Sequence, residues 1–198
     1  VYTLLDPTMR RYLKMPEPLQ HGVYVNTVHN LGTGSEELRP GDVILSIDGH
    51  TLNPYGRYLH DAYDRLSFEH IILQTSDGDT IPFEIWRDGA QQTIDVTARN
   101  FGADEMLVPY YLYGQQPEYV VVGGFVFQKL TRDFLGMWGE GWSGKVPPHL
   151  YHYYRDRAFK PTEDREDIVV LNYVLPIEMN LGYQQLSRLV VSRINNKK

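Results

Sequence analysis

Apolar and polar positions alternate in short bursts along the first half of the chain, and turn residues separate the bursts. Gly22–Val28 sets Val23, Val25 and Thr27 against Tyr24, Asn26 and Val28. That period of two is what a strand with one buried face requires. Val43, Leu45 and Ile47 alternate likewise, which predicts a half-buried strand with these three on one face. Turn chemistry brackets it: Pro40 presets φ for a tight turn that Gly41 completes, and Asp48-Gly49 supplies the next reversal. The clearest hairpin spans Thr80–Thr97 and folds at Asp88-Gly89, a favoured type I′ pair. This register sets Phe83 opposite Ile94 and Ile81 opposite Val96. Pro82 lacks a ladder donor, which favours an edge or bulged position. Ile71–Thr75 is a further brief apolar run. Between these strands, Tyr55, Leu59, Ala62, Tyr63 and Leu66 recur at spacings of three and four, which predicts a helix over Pro54–Leu66.

From about residue 101 the pattern gives way to Gly, Asp, Pro and a dense set of tyrosines, as expected of a connector over 101–118. A second block follows. Val120–Gln128 reads as a strand interrupted at Gly123-Gly124, Pro148–Arg157 as a helix, and Ile168–Val174 and Leu189–Ile194 as strands. The fold class is mainly β with a few helices (α+β), in two domains.

Composition narrows the function. The formal charge of −6 argues against a nucleic-acid groove. No run approaches the roughly 18 apolar residues of a membrane span. The absence of cysteine excludes disulfides and catalytic thiols. An opening at Val1, with no basic-then-apolar leader, fits a processed or internal start and leaves the compartment open. No cofactor motif is present.

Several local patterns suggest chemistry and fall short of it. Gly141-Trp142-Ser143-Gly144 lacks the final glycine of a hydrolase elbow, because position 145 is lysine. His149, His152 and Asp156 could share a helix face, yet no H-E-x-x-H accompanies them, so no metal site is expected. Gly32-Thr33-Gly34-Ser35 lacks the third glycine and the lysine of phosphate loops. The remaining histidines read as scattered. Tyrosines 110, 111, 113, 119, 151, 153 and 154 suit either internal packing or a subunit contact.

The run ELRPGDVILSIDG at Glu37–Gly49 resembles the signature of a PDZ domain. The wider order of motifs resembles the C-terminal part of Deg/HtrA (Do-like) serine proteases. It comprises Asp6-Pro7-Thr8-Met9-Arg10 with Leu13, HGVYVNTV at His21–Val28, and GDTIPFEIWRDG at Gly78–Gly89. VVVGGFVFQKLT at Val120–Thr131, DIVVLNYVL at Asp167–Leu175 and NLGY at Asn180–Tyr183 complete it. The resemblance implies two tandem PDZ-like, partly open barrels or sandwiches: 1–100, starting inside its first strand, and 119–198, an enlarged Do-like domain truncated at its end. It places the trypsin-like triad upstream, so no catalytic residue and no peptide hydrolysis are expected of these 198 residues. It also implies a periplasmic, cell-envelope or organellar setting and a trimeric or hexameric parent protein.

PDZ recognition adds an extended peptide to a sheet edge, while a glycine-bearing loop holds its terminal carboxylate. By the resemblance, Val1, Tyr2, Thr3 and Leu4 form the receiving strand of the first domain, with Leu59 and Tyr63 on its groove helix and the carboxylate loop missing. In the second domain Gly123, Gly124 and Phe125 occupy the position of the carboxylate loop, with Val126 and Phe127 starting the receiving edge; a bulge in a core strand is the plainer explanation of the two glycines. Asn196 stands where a turn glycine is usual. The function implied is capture of extended or C-terminal segments of unfolded proteins. The alternatives are an assembly module whose grooves are self-blocked, the insert Leu130–Pro161 covering the second, and a stand-alone PDZ scaffold.

Overall fold

The structure, a computed structural model, describes residues 1–4 and 6–195. Val1–Asn100 and Phe101–Lys198 form two compact units; the described residues are mostly β with four short helices, and among them the sheets do not close into barrels. Asn196 lies outside the described residues.

In the first unit, β1 (Tyr2–Thr3) leads to α1 (Pro7–Tyr12), where the Asp6 side chain caps the helix by accepting from the Thr8 N–H. Strands β2 (Val23–Tyr24), β3 (Val43–Ile47) and β4 (His50–Thr51) follow. Then come β5 (Arg57–His60), β6 (Asp64–Ser67), α2 (Glu69–Gln74), β7 (Thr80–Arg87) and β8 (Ala90–Thr97). The main sheet runs β1-β2-β3-β7-β8, with β4 folded back on β3. The β7–β8 hairpin has the expected register, Phe83 opposite Ile94 and Ile81 opposite Val96, with both turn residues at positive φ.

Three elements differ from the sequence pattern. All five residues of β3 are buried, not alternate ones. A bulge at Leu45 breaks its register with β7. Val43 and Leu45 therefore pack with Leu4, Met15 and Trp86, while Ile47 joins Ile44 in the other core cluster with Phe83 and Ile85. Strand β7 is interior, and Pro82 is tolerated because it lies just past the last β3 pair, Ile47 with Phe83. Its carbonyl accepts from Asp48 on that same side, so the missing N–H faces a turn.

Pro54–Leu66 is a hairpin, not a helix. Asn53 accepts from the Tyr55 and Arg57 amides through its side chain, and its carbonyl accepts from Gly56. This Asn-Pro-Tyr-Gly turn delivers the chain into β5. Only Tyr58 of β5 enters the core, whereas Tyr55, Leu59 and Tyr63 stay in solvent. The helix comes later, as α2, over residues that read as a strand.

In the second unit β9 (Tyr119–Val122), β10 (Phe125–Lys129), β11 (Val169–Val174) and β12 (Leu189–Val190) form a sheet in the order β12-β11-β10-β9. Two helices lie in the segment between β10 and β11: α3 (Arg132–Gly136), capped by Thr131, and α4 (Pro148–His152), which continues as a π-turn over Tyr153–Arg157. Phe134, Leu135, Val146 and Leu150 of this segment are buried, as are Ile168, Val170 and Val174.

Candidate functional site

Strand β1 is one of the two outermost strands of the first sheet, β8 being the other, and among the described residues it pairs only with β2, Tyr2 with Tyr24 and Thr3 with Val23. Leu4 fastens it: this side chain is 1% exposed and packs against Met15, Val43, Leu45 and Trp86. Val1, Tyr2 and Thr3 are exposed, Tyr2 by 62%. The far side of β1 presents a short row of main-chain groups with no strand beside it among the described residues. Such an edge is a template for another strand. Val1 through Leu4 are thus assembled as one edge. Leu59 and Tyr63 are not on a helix beside it: Leu59 projects from β5 and Tyr63 from the following turn, 68% and 69% exposed. The helix of this region is α2, whose Ile71 enters the core.

The structure gathers residues that the sequence left scattered. His50 from β4, His60 from β5 and His70 from α2 surround Tyr58, which is 3% exposed. The Tyr58 hydroxyl and His70 Nδ1 are 2.7 Å apart, and the Ala62 N–H donates to His60 Nδ1. A cavity of about 370 Å³, lined in part by Asp48, His50, His60 and Asp61, adjoins them. Among the described residues, no group of three or more His, Asp or Glu is placed to hold a metal ion. His149 and His152 serve separate partners, the Arg188 carbonyl at 2.8 Å and Asp156 at 2.9 Å.

In the second unit Gly123 and Gly124 form a two-residue turn between β9 and β10, with φ of 57° and 82°. This is type I′ hairpin geometry, and neither a bulge nor a loop ahead of a free strand. Asn180 explains why a glycine is needed at the second position. The residue is 2% exposed, its side-chain amide donates to the carbonyls of Gly123 and Leu175, and a Cβ on Gly124 would run into that amide. The Leu175 N–H closes the clamp on the Gly124 carbonyl at 2.8 Å. The two distant motifs GGFVF and NLGY are therefore halves of one hydrogen-bonded corner, with Phe125 and Tyr183 ring centroids 6.2 Å apart.

Strand β10, which holds Phe125, Val126 and Phe127, is paired on both sides, with β9 and with β11. It cannot receive a further strand as it stands. The sheet's edge strands are β12 and β9, and all four residues of β9 are exposed. An apolar hollow of about 570 Å³ beside it is lined by Tyr119, Val120, Phe127 and Val169 among others. At its rim Lys129 meets Asp167 at 2.9 Å and Glu118 at 3.0 Å, and these hydrogen bonds hold its ammonium above its ordinary pKa.

The tyrosines divide. Tyr110, Tyr154 and Phe159 pack together, Trp142 lies edge-on to Tyr151 and Tyr154, and burial raises the Tyr110 phenol above its ordinary range. Tyr113 and Tyr119 remain in solvent. Ser143 sits exposed on a short 3-10 turn, and Thr33 accepts the Arg99 N–H, so the Gly32–Ser35 loop is tied into the fold.

Residues 8–98 and 108–198 each match a model of the PDZ domain. The chain is a pair of PDZ domains. It is 31% identical over 97% of its length to the chloroplastic protease Do-like 2 of Arabidopsis thaliana. It is 25% identical over 99% to the putative mitochondrial protease Do-like 12 of the same plant, and 24% identical over 81% to a serine protease DegP homologue of Plasmodium falciparum. Over nearly its whole length it is thus homologous to Deg/HtrA proteases, and it spans 30% and 33% of the two plant proteins. Among the described residues no helix is long and apolar enough to cross a membrane.

Proposed function

We propose that this PDZ pair is the substrate-capturing region of a Do-like serine endopeptidase, and that it takes extended or C-terminal segments of unfolded proteins on the open edge of β1. The carrying observation is that edge: a strand of a PDZ domain, anchored by Leu4, with a neighbour on one side only among the described residues. Main-chain hydrogen bonds would supply affinity with little demand on peptide sequence, which suits a protein that must accept many unfolded chains. Hydrolysis itself would belong to a domain outside these 198 residues. The chloroplast and mitochondrion in the relatives' names suit an organellar protein. The test is fluorescence anisotropy with labelled peptides that end in apolar residues. Saturable binding, lost when alternate peptide amides are N-methylated, is expected. Binding indifferent to N-methylation would contradict strand addition.

A second reading has its own observation. In the second domain β10 is already covered by β9, and β9 exposes Val120, Val121 and Val122 at a sheet edge with no charge among them. Natural proteins usually blunt such edges with lysine, proline or a bulge, so an unblunted one favours assembly with further copies of the chain. Val121→Lys is then expected to lower the mass measured by light scattering at high concentration and to leave peptide binding by the first domain unchanged. An unaltered mass would remove the assembly reading.

A further inference from the structure

Strand β1 has only two ladder pairs, few for a strand that must accept another chain without fraying. Arg10, in the last turn of α1, supplies a third tether. Its Nη2 donates to the Leu4 carbonyl at 2.7 Å and to the Gln20 carbonyl at 3.1 Å. The first carbonyl lies directly after β1. The second belongs to a segment stiffened by Pro16 and Pro18 and by the turn bonds from Leu19 to Pro16 and from Gln20 to Pro18. Helix α1 is itself closed onto this segment by the Met15 N–H, which donates to the Arg10 carbonyl. One guanidinium therefore joins the end of the edge strand to a rigid support. Its Nε is buried with no hydrogen-bond partner among the described residues, so the side chain leaves one donor unsatisfied while Nη2 spans the two carbonyls. The neighbouring Arg11, on the same turn, is in solvent.

We infer that Arg10 is a positioning residue for the receiving edge: it holds β1 in the extended, flat conformation that an incoming peptide strand needs. The inference rests on the peptide-capture reading for its consequence, though not for its geometry. A bound strand would add ladder bonds to β1 only where β1 is already ordered, so loosening the tether lowers affinity without removing any peptide contact.

The experiment compares Arg10→Met, Arg10→Lys and Arg11→Met with the unmodified chain, by amide hydrogen exchange and by titration with a labelled peptide ending in apolar residues. In Arg10→Met the amides of β1 that face β2, that of Tyr2 first, are expected to exchange faster while those of β7 and β8 keep their protection, and affinity should fall roughly tenfold. Arg10→Lys, which keeps a cationic donor, should recover part of both effects, and Arg11→Met should change neither. Exchange that rises uniformly through the first domain, or not at all on β1, would overturn the inference. If the unmodified chain binds no peptide, the functional reading fails, and the exchange comparison still decides whether Arg10 orders β1.

Discussion

Asp42→Ala is expected to be the most damaging single substitution in the first PDZ domain. Asp42 is 1% exposed and meets Arg87 with both oxygens, each at 2.7 Å from a guanidinium nitrogen. The carboxylate also accepts the Arg39 N–H, and Arg87 reaches on to the Glu37 carbonyl. This one pair therefore ties the turn before β3 to the end of β7, with Asp42 holding Arg87 firmly in its charged form. Removing one partner of a buried pair strands the other charge and costs about 3–5 kcal/mol. A domain has about 5–15 kcal/mol in all. Thermal unfolding followed through Trp86, which packs beside Val43 and donates to the Leu13 carbonyl, should move down by more than about 10 °C. Asp95→Ala, on the exposed face of β8, should shift it by little. Equal shifts in the two variants would show that the pair is not a structural tie.

Gly124→Val is expected to unfold the second domain instead of merely emptying a binding loop. At φ of 82° a β-branched side chain is strained, and its Cβ would displace Asn180 and press on Ile177. The backbone strain costs about 1–2 kcal/mol. Losing the Asn180 clamp leaves buried carbonyls unsatisfied for about 1–3 kcal/mol more. Gly123 differs: a Cβ there meets nothing within 4 Å, and asparagine suits the first position of a type I′ turn. Gly123→Asn should fold as the parent does. Near-ultraviolet circular dichroism of the tryptophans, two of which (Trp138 and Trp142) lie in this domain, separates the cases. A Gly124→Val protein that keeps the parent spectrum but loses peptide would restore the carboxylate-loop reading of these glycines.

Much of the β framework was legible because its signals are local. Asp88-Gly89 between two alternating runs determined a hairpin and its register, and Asp48-Gly49 ended β3 for the same reason. What misled were features that depend on partners. The alternation of β3 is reset by a bulge visible only against β7. The three-and-four spacing over Pro54–Leu66 competed with an Asn-Pro-Tyr-Gly turn, and turn chemistry won because four of the five periodic residues, Tyr55, Leu59, Ala62 and Tyr63, have nothing to bury against. Gly123-Gly124 had the composition of a hairpin turn, flanked by apolar runs, and a stricter reading of that signal would have found it. The convergence of His50, His60 and His70 on Tyr58 left no trace in spacing, since it joins a strand, a hairpin and a helix. The candidate edge itself, Val1 to Leu4, came from the order of motifs. Its openness came only from the sheet.

The most direct test of peptide capture on β1 is an amide NMR titration of the isotope-labelled chain with a short peptide that ends in apolar residues. Strand addition predicts saturable shifts centred on Val1–Leu4 and passing to Val23 and Tyr24 across the ladder, with β9 and β10 unmoved. Saturable binding that shifts β9 and β10 and leaves β1 untouched would contradict it.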